Sequence, residues 1–388
     1  MSGSDFRQIP FGRPWITDED RKAVMAVLEG HILTHGPQAK AFEAEFAQFL
    51  GEGAHCVSVS SGMAALHLSY LALGIGPGDE VIVPAQTHIA TVHAVEWVGA
   101  RPVFVDCDVV TGNVTPGAVA AAITPRTKAI SVVHFLGIPC DMPGIMGLAE
   151  RHGLKVIEDS ALAVGSRYGE KHVGLFGDAG CFSFYPIKHM TTGEGGMLVT
   201  RHPEVAAVVG NVRAFGVDRG HAEREIPGLY DVPSLGLNYR MSEIQAALGR
   251  TQLRRIDEIL ERRRRNFEAL KGAFSEVPST RVLDAANSEA RSSHYCLSLV
   301  LEGTLGGRRN DVVRRLNAAG VGTSVYYPQP VPRMRYYQEK YGYDPARFPQ
   351  AAAISDCSIA LPVGPHVGGD DIGYMVDAVR RVLREVSA

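Results

Sequence analysis

Lysine is scarce in this chain. Its 388 residues carry eight lysines against thirty-one arginines, so a lysine in an unusual setting calls for a reason. Cysteine occurs six times and never as a C-x-x-C pair, which argues against a zinc knuckle or a redox dithiol. The small-residue and strand-like surroundings of the cysteines instead suit buried, reduced thiols. Neither charge sign is in excess: the formal net charge is −3, too small to draw nucleic acid or an anionic membrane in general. No apolar run approaches the roughly 18 residues that span a bilayer, and "MSGSDFRQIPFGRPW" has no apolar leader segment, so a soluble, cytoplasmic protein is expected. The one basic run, Arg262 to Arg265, continues a polar helical pattern and reads as a solvated helix face.

The length allows two domains, here read as 1–255 and 256–388. Between Val57 and Thr200, short apolar runs alternate with helical stretches. Strands are expected at 80–85, 101–108, 128–137, 155–161, 180–185 and 196–200, and helices at 62–74, 88–99, 116–124 and 142–152. Such apolar strands suit a parallel sheet covered on both faces, an α/β doubly wound domain whose ligands sit beyond the strands' C-terminal ends. One long helix is expected over 241–270, leading to a smaller domain with strands at 293–302 and 323–328 and a helix at 369–385.

One of the few lysines, Lys188, stands in "FSFYPIKHMTTGEGGM" (182–197), a turn too rich in Gly and Pro to be a helix surface. It is either a surface lysine or an amine placed at the mouth of the sheet, and three features favour the second. Asp159 ends the strand of "KVIEDSA", where a buried carboxylate needs a cation such as the pyridinium nitrogen of pyridoxal phosphate (PLP). "SVSSGMAALHL" opens a helix on glycine, whose free N–H groups suit a phosphate. Ser183 lies on the strand that delivers the lysine and offers a hydroxyl to the same phosphate. No G-x-G-x-x-G follows the first strands, which leaves a nicotinamide cofactor without support.

These blocks, with "GPQAKAFEAEFAQFLG", "GDEVIVPAQTHIAT", "VHFLGIPCDM", "GLNYRMSEIQAALGRTQL" and "ALPVGP", resemble the DegT/DnrJ/EryC1/StrS family of sugar aminotransferases over nearly the whole length. The resemblance implies fold type I: a large, mostly parallel seven-stranded sheet domain flanked by helices, with a smaller α+β C-terminal domain. It assigns Lys188 to the Schiff base with PLP, Asp159 to the ring nitrogen, Gly62, Met63 and Ser183 to the phosphate, and His88 to the ring face. Asn238 falls where the family reaches the phosphate of a neighbouring subunit, which implies a homodimer with shared active sites. The position three after the aspartate, commonly Gln or His, is Leu162, which leaves the ring hydroxyl to Gln86, to His88 or to the Schiff-base proton alone.

The implied reaction moves an amino group from L-glutamate to a keto-sugar. C4 of a nucleotide-linked 4-keto-6-deoxy sugar is the leading acceptor, and an 8-oxo-3-deoxy-octulosonate is the alternative. A PLP-dependent sugar dehydratase would carry histidine in place of Lys188, and a non-catalytic regulator would not need the lysine at all. Thr34, His35, Gly36, His189, Glu194, Arg240, Tyr326 and Tyr327 are candidates for sugar contact, each with a plain structural role as the competing reading. His134 reads as a hydrogen-bonded structural histidine.

Overall fold

The computed structural model describes residues 6–51, 53–218, 226 and 228–387. After α1 (Asp18–Leu28) and α2 (Pro37–Leu50), strand and helix alternate: β1 (His55–Val59), α3 (Gly62–Ala72), β2 (Glu80–Pro84), α4 (Ile89–Trp97), β3 (Arg101–Val105) and α5 (Pro116–Ala120). The series continues with β4 (Thr127–Val133), α6 (Met142–His152), β5 (Lys155–Asp159), the short β6 (Arg167–Tyr168) and β7 (Lys171–His172), β8 (Ala179–Ser183) and β9 (Gly196–Thr200). Then come α7 (Pro203–Val212), α8 (Glu243–Arg254), α9 (Ile256–Phe274), β10 (Thr280–Val282), β11 (Ala290–Arg291), β12 (Leu297–Leu301) and α10 (Arg309–Ala318). The chain closes with α11 (Arg335–Tyr341), α12 (Pro349–Cys357), β13 (Ser358–Leu361) and α13 (Gly369–Ser387).

Seven strands pair in the order β1-β9-β8-β5-β4-β2-β3, and only β9 runs against the rest. The mostly parallel sheet expected from the sequence is therefore present. Side-chain alternation divides its two faces. Val81, Val83, Ile157, Cys181 and Leu198 pack with α3, α4 and α7. Their neighbours Ile82 and Val156 face α5 and α6, while Phe182, Met197 and Val199 face α2 and α8. A sheet buried on both faces leaves its strand ends as the place for polar chemistry, and the C-terminal ends of β1, β8, β5, β4, β2 and β3 gather at one edge.

Later residues build a second core. The antiparallel sheet β10-β12-β13 packs against α9, α10 and α13, and Ile9 crosses over to join it by bridging Val321. Two expectations differ from the structure. The helix expected over 241–270 is two helices, broken at Arg255 (φ −105°, ψ 10°). No Gly or Pro marks that break. Instead, the Arg255 guanidinium is tied to Asp20 of α1 at 2.7 Å and to the Trp15 carbonyl at 3.3 Å. Residues 323–328 form no strand beyond a single bridge from Ser324 to Ala360. Tyr326 and Tyr327, joined by a cis peptide, are both buried, whereas strand alternation would turn one of them outward.

Glu158 fixes the floor beneath the site. It is fully buried and accepts hydrogen bonds from Gly174, Phe176 and Gly177 backbone N–H groups at 2.7 Å each, and from His134 Nε2 at 3.0 Å. His134 Nδ1 accepts from the Cys140 N–H at 3.1 Å, so its proton sits on Nε2, the structural role read from the sequence. Burial alone would raise the Glu158 pKa, but His134 and the N–H groups outweigh it and hold the carboxyl below its ordinary value. Its stabilising contribution is therefore present at neutral pH and is lost as pH falls through that lowered value. Glu158→Ala leaves three backbone N–H groups and the His134 Nε2–H unpaired and is expected to cost about 3–5 kcal/mol, read from the urea unfolding midpoint at pH 7.

Candidate active site

At the C-terminal edge of the large sheet lies a cavity of about 330 Å³. Its walls include Gly62, Met63, Thr87, His88, Asp159, Leu162, Ser183, Lys188, Glu194, Tyr295, Tyr326 and Tyr327. Each comes from a strand end or from the turn that follows one, except the tyrosines, which later segments bring in.

The first turn of α3 forms one end. Ser61 caps the helix, its Oγ accepting from the Ala64 N–H at 3.1 Å, and the Ala65 N–H bonds the Ser61 carbonyl at 3.2 Å. The N–H groups of Gly62 and Met63 precede these and have no partner among the described residues, so the positive end of the helix opens into the cavity. Two glycines permit the crowding. A Cβ on Gly62 would stand 2.8 Å from Ser183 Cβ, and one on Gly196 would stand 2.5 Å from the Ser61 carbonyl carbon. The free N–H pair and the Ser183 hydroxyl thereby come together as a cup of anion-binding chemistry.

Asp159 lines the same cavity and is nearly buried. Its Oδ2 accepts from Thr91 Oγ1 at 2.7 Å and its Oδ1 from the Ala161 N–H at 3.1 Å. Thr91 spends its one proton on the carboxylate, so at 2.8 Å it must accept from Thr87. Thr87 and Thr91 sit four residues apart across the start of α4, a helical spacing visible in the sequence although no motif marks it.

Lys188 lies in the turn between β8 and β9. Its Nζ stands 5.2 Å from the centre of the Tyr295 ring, and the Tyr295 hydroxyl meets the Tyr326 hydroxyl at 2.7 Å. Burial pushes the Lys188 amine down to about 8, against the upward pull of Asp159 and Cys296. His88 caps α4, its Nδ1 accepting from the Ala90 N–H at 3.1 Å, which leaves the proton on Nε2. Burial lowers its pKa, so the ring is a neutral donor beside the cavity, set edge-on to Tyr327 at 5.5 Å. Gln86 does not line the cavity: its amide donates to the Tyr326 carbonyl at 3.1 Å and accepts from Ser355 Oγ. Leu162 offers the ring hydroxyl no hydrogen bond, and of the two groups expected to serve that oxygen instead, only His88 faces the space.

Other candidates lie apart. His189 is buried beneath the turn, its Nε2 donating to the Ser293 carbonyl at 3.1 Å. Thr34 and His35 are exposed on the segment before α2, where buried Gly36 abuts Glu243. Arg240 stacks on Phe215 at 4.8 Å, and Asn238 is exposed in a bridge with Ala214; neither enters this chain's own cavity. Glu194 lines the mouth, its backbone carbonyl held by Gln245 Nε2 at 2.7 Å. Two residues carry no functional signal in the sequence: Tyr295, a cavity wall just before β12, and Arg263, which donates to the Tyr295 carbonyl from behind. The latter, inside a run read as solvated, is only 5% exposed.

Because the folded amine titrates near 8 rather than 10.5, its charged form burdens the folded state fully below pH 8 and is relieved as pH rises toward 10.5. Cofactor-free Lys188→Met should therefore be more stable than wild type at pH 7. That advantage should shrink by pH 10 in parallel urea melts.

A DegT/DnrJ/EryC1/StrS aminotransferase family profile matches residues 14–380. The spore coat polysaccharide biosynthesis protein SpsC of Bacillus subtilis (strain 168) is 38% identical over 380 residues, 97% of each chain. Spr1654 from Streptococcus pneumoniae, in its PLP form, superposes with a TM-score of 0.91 at 28% identity, covering 98% of this chain and 99% of that one. Helicobacter pylori PseC, an aminotransferase involved in pseudoaminic acid biosynthesis, gives 0.91 at 26% identity, covering 98% and 100%. The chain belongs to the DegT/DnrJ/EryC1/StrS family of PLP-dependent sugar aminotransferases.

Proposed function

We propose that this enzyme moves an amino group from L-glutamate to a keto-sugar, with C4 of a nucleotide-linked 4-keto-6-deoxy sugar the leading acceptor, in surface-polysaccharide biosynthesis in the cytoplasm. One observation carries the reading: a depressed amine, a nearly buried carboxylate and an open helix N-terminus share one cavity. The similarity to SpsC supports the polysaccharide setting. Among the described residues, no helix is long and apolar enough to cross a membrane.

The residues present fit pyridoxal phosphate. The unpartnered N–H groups of Gly62 and Met63 and the Ser183 hydroxyl would hold its phosphate, Asp159 its ring nitrogen, Lys188 its aldehyde and His88 its ring. When bound, the group supplies an electrophilic carbon and a ring that withdraws electrons from the substrate carbon. Asp159, braced by Thr91 and the Ala161 N–H, would keep the ring nitrogen protonated. Lys188 Nζ takes the proton from the donor's Cα and returns it on the far side of the transfer; its lowered pKa leaves a useful fraction uncharged near neutrality. The aromatic walls Tyr295, Tyr326 and Tyr327 limit water around the amine. Lys188 stands where a dehydratase would carry histidine, and His189 is turned under the loop; both argue against a dehydratase role.

Among the described residues the lining contains no arginine, and we look to the neighbouring subunit for a cation to meet the donor's carboxylates. Arg240 and Asn238 sit on a segment that also exposes Phe215, Leu229 and Leu235, the last 93% exposed. A homodimer that covers this surface would bring both residues to the neighbouring cavity.

Lys188→Ala is expected to abolish transamination of a keto-sugar panel by glutamate. Asp159→Asn is expected to lower kcat/KM by about 10³-fold or more, and loss of less than tenfold would refute its role. Leu235→Asp should shift the protein toward monomer in sedimentation velocity and weaken activity with it.

A further inference from the structure

Arg263 projects from α9 into the protein interior, while its neighbours stay at the surface: Arg262 pairs with Glu258 and Arg264 with Glu261, each at 2.7 Å. Its guanidinium has no carboxylate partner among the described residues. It donates instead to two carbonyls, from Nη1 to Tyr295 at 2.7 Å and from Nη2 to Lys188 at 3.4 Å. Its Nε is buried without a partner. Burial pushes the guanidinium down to about 10, a measure of how far the charge is removed from water. A buried cation with no anion beside it among the described residues is a costly way to fill space, since an apolar side chain packs there without that penalty.

The two carbonyls explain the placement. One belongs to the residue whose amine faces the cavity, the other to the residue whose ring lies 5.2 Å beneath that amine. Arg263 also lies over the Tyr295 ring, at 5.9 Å. Next to it, His189 Nε2 makes a second stitch to the same later segment at the Ser293 carbonyl. A planar guanidinium holds both carbonyls in one geometry, which a point donor cannot do. We infer that Arg263 is a positioning residue that fixes the Lys188 backbone relative to Tyr295 and so sets where the amine stands for proton transfer. This rests on the reading of Lys188 as the proton-carrying amine.

The test compares holoenzyme carrying Arg263→Gln or Arg263→Lys with wild type, with Arg262→Gln as the surface control. Both Arg263 variants should lose at least tenfold in kcat, with KM for glutamate within threefold, and Arg263→Lys should lose less than Arg263→Gln. A second readout needs no turnover. Reductive methylation with ¹³C-formaldehyde labels the eight lysines of cofactor-free protein, and the Lys188 signal is identified by its loss in Lys188→Arg. In Arg263→Gln that signal should broaden and its titration midpoint should move by at least half a pH unit, among the groups facing it (Asp159, His88, Cys296, His189 and Tyr295). Wild-type kcat in both variants would overturn the inference. So would a kcat loss that tracks a lower folded fraction while the Lys188 signal is unmoved, or failure of both variants to fold, which would make Arg263 a folding determinant only. Retained activity in Lys188→Ala would instead sink the underlying reading, whatever the Arg263 variants do.

Discussion

At the edge of the large sheet, two stretches of backbone pass each other with no room for a side chain between them. Gly62 lies against Ser183, and Gly196 lies against Ser61. Everything chemical about the site follows from that closeness. It brings the open start of a buried helix to the end of the strand that leads to Lys188. It also keeps α3 tight on the sheet, where its small residues Ala64 and Ala65 are buried. Any side chain at either glycine would lever the helix off the sheet and separate the anion cup from the amine.

The second ingredient is the contrast between two burials of charge. Asp159 is compensated at once by Thr91 and a backbone N–H, so it persists as an acceptor in a mostly apolar cavity. Lys188 has no comparable hydrogen bond among the described residues and carries a lowered pKa as the result. Hydrogen bonds thus fix the carboxyl in place while burial discourages the ammonium, which suits the first as an anchor and the second as a proton carrier.

Much of this is legible in the sequence because it is local. Strand ends show as apolar runs that stop at a polar residue, which marks Asp159 and Ser183, and the Gly-Met start of α3 shows as a glycine before an apolar helix. What stays hidden depends on distant partners. The break at Arg255 carries no Gly or Pro because it is held by Asp20 and Trp15, more than two hundred residues earlier. Tyr295 and Arg263 read as an ordinary strand residue and a surface charge, and only the folded chain turns them toward Lys188. The tyrosine pair at 326–327 suggests a strand, since nothing local reveals that both rings are buried. Asn238 and Arg240 are legible as a motif, yet a single chain leaves them away from the cavity it encloses.

β9 is the one strand of the large sheet that runs backwards, and it lies beside β8. The turns after β1, β2, β3 and β4 lead to a helix and the one after β5 to the short β6, but the turn carrying Lys188 comes straight back to the adjoining strand. Both of its ends are therefore clamped side by side in a hydrogen-bonded ladder. A segment tethered in this way has little freedom to swing. Admission and release of a bulky sugar must accordingly be the work of other parts of the rim, while the amine itself stays still.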